Sequence, residues 1–178
     1  MNRPILATLS LFLMLLAPFR VSSEPGPTRP ATASGQVATS QQPEASSQEQ
    51  PYRDQAEEGV KHVLLSQIEA WNRGNLPGYM NGYWRSPDLV FFSGATVTRG
   101  WEPTLERYQG RYASAGKEMG KLEFSELHID VLSQRAAVAT GKWQLTMSDG
   151  KQPHGLFTLV FKKMPGGWKI VHDHSSGE

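Results

Sequence analysis

The sequence has no cysteine. Disulfides, thiolate nucleophiles, iron–sulfur clusters and Cys-based zinc sites are therefore excluded, as is the lipid-modified cysteine of a bacterial lipoprotein. An excess of one charge is missing too. Eighteen Lys and Arg stand against 17 Asp and Glu, for a net charge of +1, and both signs are scattered. Nucleic acid or an acidic membrane surface thus finds no electrostatic footprint. There is no internal repeat, no Gly-rich phosphate loop, no nucleophile elbow and no HExxH. Nucleotide-dependent and serine-hydrolase chemistry have nothing to rest on, and neither a cofactor nor a metal is expected.

Long apolar runs are absent after the first residues. Ile5 to Ala17 is almost unbroken, interrupted only by Thr8 and Ser10, and follows the positive Arg3. A spanning helix needs roughly 20 apolar residues, so this run is short for a span and suits a signal h-region. Val21 and Ser23 are suitable small residues before a cut at Glu24. Residues 1–23 are expected to be a signal peptide, giving a secreted or periplasmic address. Membrane attachment is expected only if the signal stays uncleaved. Residues 24–51 contain no aromatic, and Val37 is their sole large aliphatic. Such a Pro-, Ser- and Gln-rich segment buries too little apolar surface to offset its ordering entropy. It reads as a disordered linker, leaving one folded domain over 52–178.

Within that domain, Val60, Val63, Leu64, Gln67, Ile68 and Trp71 recur at helical spacing and predict an amphipathic helix from about Tyr52 to Arg73. Gly74 is a natural stop. Asn75 can cap a short second helix with Pro77 in its first turn. Asp88–Ser93 and Val97–Arg99 read as short strands, and Trp101–Tyr112 as a third helix. Lys121–Leu132, Ala136–Met147, His154–Lys163 and Trp168–Ser175 read as four long strands. Asp149-Gly150 and Pro165-Gly166-Gly167 mark turns between the last three. Helices first and a strand meander after predict an α+β fold: a curved antiparallel sheet wrapped over three helices. The sheet face exceeds what three modest helices cover, so a conical pocket is expected. Aromatics available to line it include Phe91, Trp101, Tyr108, Trp143, Phe157 and Trp168.

Four stretches then carry a resemblance: AWNRGNLPGYMNGYW, DLVFFSG, TRGWEPTLERY and GLFTLVFKKMPGGWKIVHDHSS. Over about Val60 to Ser176 they resemble the SnoaL-like superfamily, whose fold is shared with nuclear transport factor 2 and ketosteroid isomerase. The resemblance implies a cone of three helices in a strongly bent sheet, and a homodimer formed through that sheet. It implies no single activity, since isomerases, cyclases, dehydratases, hydrolases and association domains share the fold. On the steroid-isomerase pattern, Ser93 falls where the base belongs and Gln67 where the helix tyrosine belongs. Neither side chain does those jobs, so that activity is not expected.

The remaining candidates are local. On a regular strand, i and i+2 share a face. This places Trp168, Ile170, His172 and His174 on the more apolar face and Asp173 on the other; a one-residue bulge would reverse the assignment. Inward histidines could be acid–base groups or structural polar groups. As metal ligands they would need a third, and His154 is the only plausible one. Tyr83, Ser93 and Tyr108 are polar helpers for a ligand. Arg99 is either an anion clamp or a solvated turn residue. Glu102, Glu106, Arg107 and Arg111 read as a solvated helix face with i,i+4 pairs. Two functions follow: a module holding a small, largely apolar molecule in the cone, or a cofactor-free isomerase, dehydratase or hydrolase using His172 or His174.

Overall fold

A computed structural model describes residues 44–114 and 117–177. The expected signal peptide and the linker up to residue 43 lie outside the described residues. The first helix, α1 (Glu44–Asn72), starts ahead of Tyr52, inside the stretch read as linker. Ala56, Val60, Leu64, Gln67, Ala70 and Trp71 form its buried stripe, the three-to-four spacing of one helical face. Gly74, at a φ of 71°, ends the turn that follows, a conformation glycine adopts without a Cβ penalty. The Asn75 side chain accepts from Gly78 N at 2.9 Å and caps α2 (Leu76–Met80).

Next come β1 (Val90–Ser93), β2 (Thr96–Arg99) and α3 (Trp101–Tyr108), which runs on into a π-helical turn over Gln109–Ala113. The long strands are β3 (Lys121–Ser133), β4 (Ala136–Thr146), β5 (His154–Met164) and β6 (Gly167–Ser175). One six-stranded sheet has the order β2-β1-β6-β5-β4-β3. It is not wholly antiparallel as expected, because β1 runs parallel to β6. Two irregularities bend it. In β3 the register shifts between Ser125 and His128, and Glu126 sits there at a φ of 51°. In β6, His172 pairs with Val160 while Ile170 pairs with Phe161, so Val171 is an extra residue. Each such bulge adds twist and redirects the side chains beyond it.

The inner sheet face carries Leu122, Val131, Ala137, Ala139, Leu145, Phe157, Leu159, Phe161 and Ile170, all buried in one core with the stripe of α1. Full burial of a side chain the size of Phe161 stabilises the fold by roughly 1.5–3 kcal/mol. The WN of the AWNRGN stretch ties helix to sheet. Asn72 accepts from Leu122 N at 2.7 Å and donates to Leu122 O at 3.1 Å. Trp71 Nε1 donates towards Met119 O and Gly120 O, both at 3.1 Å.

Candidate ligand site

Beyond the part of the inner face that α1 covers, the sheet, α2, α3 and the last turns of α1 border an open cavity of about 490 Å³. Sheet residues Leu122, Phe124, Trp143, Leu145, Phe157 and Leu159 form one wall, and Phe91 and Ser93 on β1 another. Gly141 makes room for the wall: a Cβ there would lie 2.7 Å from Phe157 Cζ.

The floor is polar and phenolic. Tyr79 and Tyr83 lie four residues apart across α2 and its exit, and Tyr108 closes α3. Their hydroxyls form a triangle with sides of 3.4, 3.5 and 3.5 Å. The Tyr83 hydroxyl also donates to Asp173 Oδ2 at 2.7 Å, and Ser175 Oγ donates to Asp173 Oδ1 at 2.7 Å. The chain is held for this contact. Trp84 N donates to Ile170 O and Ile170 N to Gly82 O, both at 2.9 Å, so Tyr83 is bridged to β6 three residues before Asp173. Trp71 packs edge-on against Tyr79 and Tyr112, with ring centroids 5.0 and 4.9 Å away.

Burial dominates the titration of these groups. It pushes the Asp173 carboxyl up to about 6, against the hydrogen bonds from Ser175 and Tyr83 and the charge of His174, which pull it down. Burial likewise pushes Tyr79 up to about 12 and holds Tyr83 and Tyr108 well above the ordinary phenol value. At neutral pH the phenols are therefore neutral donors, and Asp173 exchanges its proton near physiological pH.

Tyr83, Phe91, Ser93, Tyr108, Trp143 and Phe157 line the cavity as the sequence reading expected, and so does Gln67. Four expected residues do not, the first being Trp168, which is buried against Gly59 of α1 and away from the cavity. Trp101 sits behind the floor, its Nε1 donating to Met80 O at 3.0 Å and its ring 4.7 Å from the Arg85 guanidinium. His172 and His174 lie on the outer sheet face, flanking the Phe92 ring at 5.2 and 5.7 Å. The extra residue at Val171 reverses the alternation, so Asp173, only 2% exposed, faces inward in their place. Burial, and then the neighbouring His174, lowers the pKa of His172. His154 is exposed on β5, its Nδ1 3.0 Å from Gln152 O. Among the described residues, no three His, Asp or Glu side chains are grouped to hold a metal ion.

The sequence reading missed Tyr79, Asp173 and the arginines of the mouth. Arg99 is exposed on β2 and outside the lining, whereas Arg107 and Arg111 belong to it. Tyr79 and Tyr83 at i and i+4 were a readable signal, since that spacing stacks two side chains on one side of a helical turn.

Together these elements define a cone-shaped α+β domain with a cavity between helices and sheet, the architecture of nuclear transport factor 2-like proteins. A model of the SnoaL-like domain matches residues 60–177, and the chain belongs to that family. It is similar to the crystal structure of a nuclear transport factor 2-like protein of unknown function from Shewanella oneidensis MR-1. There the identity is 38% over 67% of this chain and 97% of that one, with a TM-score of 0.63. A superfamily protein from Salmonella enterica shares 22% identity over 73% of this chain and 92% of that one, with a TM-score of 0.54. A cystatin-like-fold protein of unknown function from Nostoc punctiforme shares 9% over 68% and 90%, with a TM-score of 0.58. The last two show the fold alone. No curated protein matches the chain.

Proposed function

We propose that this domain binds a small, largely apolar molecule in the cone and offers it one polar anchor at the floor. The carrying observation is the open cavity of about 490 Å³ with aromatic walls and the Tyr79–Tyr83–Tyr108–Asp173 cluster at its base. Apolar walls with a few convergent polar groups are the usual composition of a small-molecule site. The phenols suit an acceptor such as a ketone or hydroxyl oxygen. A panel of alicyclic and aromatic ketones and alcohols can be titrated while Trp71 and Trp143 emission is followed, since both indoles line the cavity. Saturable binding that is lost in Ser93→Phe, with the fold intact, is expected. Undiminished binding by that variant overturns the assignment.

A second reading, a cofactor-free acid–base enzyme, is supported by Asp173. It is buried, faces the cavity and has its carboxyl pushed up to about 6. That value places a proton donor and acceptor close to neutral pH. Turnover of a bound ketone, seen as deuterium uptake at its α-carbon and absent in Asp173→Asn, is the test that favours the enzyme. No uptake with any bound ketone leaves the binding module.

The extracytoplasmic address and the sheet-to-sheet homodimer belong to the same proposal. The outer face carries Phe92, Val160 and the exposed Leu156, which a second copy would cover. A mature chain starting at Glu24, and a sedimentation mass of twice the chain, are the expected results.

A further inference from the structure

The mouth of the cone differs in charge from its floor. Arg107 and Arg111 both line the cavity, four residues apart, on α3 and the π-helical turn that continues it. Arg107 reaches over the Phe91 wall, its guanidinium carbon 5.9 Å from the ring centroid. Arg111 spends its Nε on the Tyr112 hydroxyl at 3.0 Å and lies over that ring at 5.4 Å. Among the described residues neither arginine forms an ion pair. The pairs expected within this helix are not made; Glu102 meets Arg85 instead, at 3.5 Å.

Two like charges four apart on a helical face repel. The rings of Phe91 and Tyr112 hold the two guanidiniums in place, Arg107 half-buried and Arg111 exposed, and leave their outer donors open to a ligand. Arginine's planar fork of donors matches a carboxylate in two parallel hydrogen bonds. Asp173, by contrast, is buried at the floor, where its own carboxyl disfavours a second anion beside phenols that stay neutral. A carboxylate taken to the floor would also lose its water. At the mouth it keeps part of its hydration and meets the only cations among the described residues of the lining.

We infer that the ligand is an amphipathic acid: an apolar body lying between the aromatic walls, with a single carboxylate held at the mouth by Arg107 and Arg111. This rests on the cone being a ligand site and adds the chemical class and the orientation.

The test compares naphthalene-2-carboxylate with naphthalene-2-methanol, its uncharged counterpart, on the full chain, by tryptophan emission and by calorimetry at low and at high salt. The acid is expected to bind at least about tenfold more tightly at low salt, a factor that corresponds to about 1.4 kcal/mol, and salt should erode that preference. In the Arg107→Gln/Arg111→Gln double variant the acid-to-alcohol affinity ratio should fall close to one. Equal binding of acid and alcohol by the unmodified chain overturns the inference while leaving the cone as a ligand site. A ratio that persists in the double variant overturns the assignment to these arginines. If neither probe binds, the ligand-site reading falls and the inference with it.

Discussion

Tyr83 and Asp173 stand 90 residues apart in the chain, and the Tyr83 hydroxyl donates to Asp173 Oδ2 at 2.7 Å at the base of the cone. This contact joins the exit of α2 to β6 and fixes the polar end of an otherwise aromatic cavity.

Because burial raises the Asp173 carboxyl from 3.8 to about 6, the native state holds a proton that the unfolded chain releases between those values. Below about pH 4 both states are protonated and Asp173 imposes no penalty. Stability then falls as pH rises towards 6, and above that the penalty stays constant, on the order of 2–3 kcal/mol. Asp173→Asn lacks this titration. Its stability relative to the unmodified protein should increase from pH 4 to pH 8, measured by urea unfolding at both.

Removing the donor moves the carboxyl further. In Tyr83→Phe the Asp173 carboxylate keeps, among the described residues, only Ser175 as a hydrogen-bond donor. Its pKa should rise above that of the unmodified protein, followed by carboxyl carbon NMR. A lost hydrogen bond to a charged group costs about 1.5–3 kcal/mol, so the variant should unfold at lower urea at pH 8, and less so at pH 4.

Gly141→Ala places a methyl 2.7 Å from Phe157 Cζ. The Phe157 ring, part of the cavity wall, must shift, so ligand affinity should fall several-fold. Overpacking of this kind destabilises by about 1–3 kcal/mol, read as a lower melting temperature.

Asn72→Ala removes both hydrogen bonds to the Leu122 backbone. A loss of about 1–2 kcal/mol is expected, with amide exchange accelerating at the start of β3 before the rest of the sheet.

His172→Gln and His174→Gln change the outer face, beside Phe92. Ligand affinity in the cone should stay within about twofold of the unmodified chain. A dimer formed through that face should weaken, measured by sedimentation at several concentrations.

Local signals made the architecture readable. Asp149-Gly150 and Pro165-Gly166-Gly167 mark the breaks between β4, β5 and β6, and the expected ends of these strands fall within one residue of the observed ones, because turn chemistry is set by the residues that make the turn. Phe91, Tyr108, Trp143 and Phe157 were named from that frame and Ser93 through the family resemblance, and these five line the cavity together with Tyr83. The inward group of β6 did not. Which of His172, Asp173 and His174 faces the cone depends on the unpaired Val171, and that bulge arises from pairing with β5 far along the chain. Arg107 and Arg111 were hidden for a different reason. Their spacing from Glu102 and Glu106 is that of a solvated face, and only the tertiary packing places them at a cavity mouth. Trp101 starts its helix as expected, yet its ring points behind the floor to Met80.

The most direct measurement is a two-dimensional amide and indole NMR titration of the full chain with naphthalene-2-methanol. The account predicts saturable shifts confined to the cone, at the Trp71 and Trp143 indoles and the amides of Tyr79, Tyr83, Phe157 and Asp173. Shifts gathered instead at Phe92, His172 and His174 on the outer face, or none at any concentration, would contradict it.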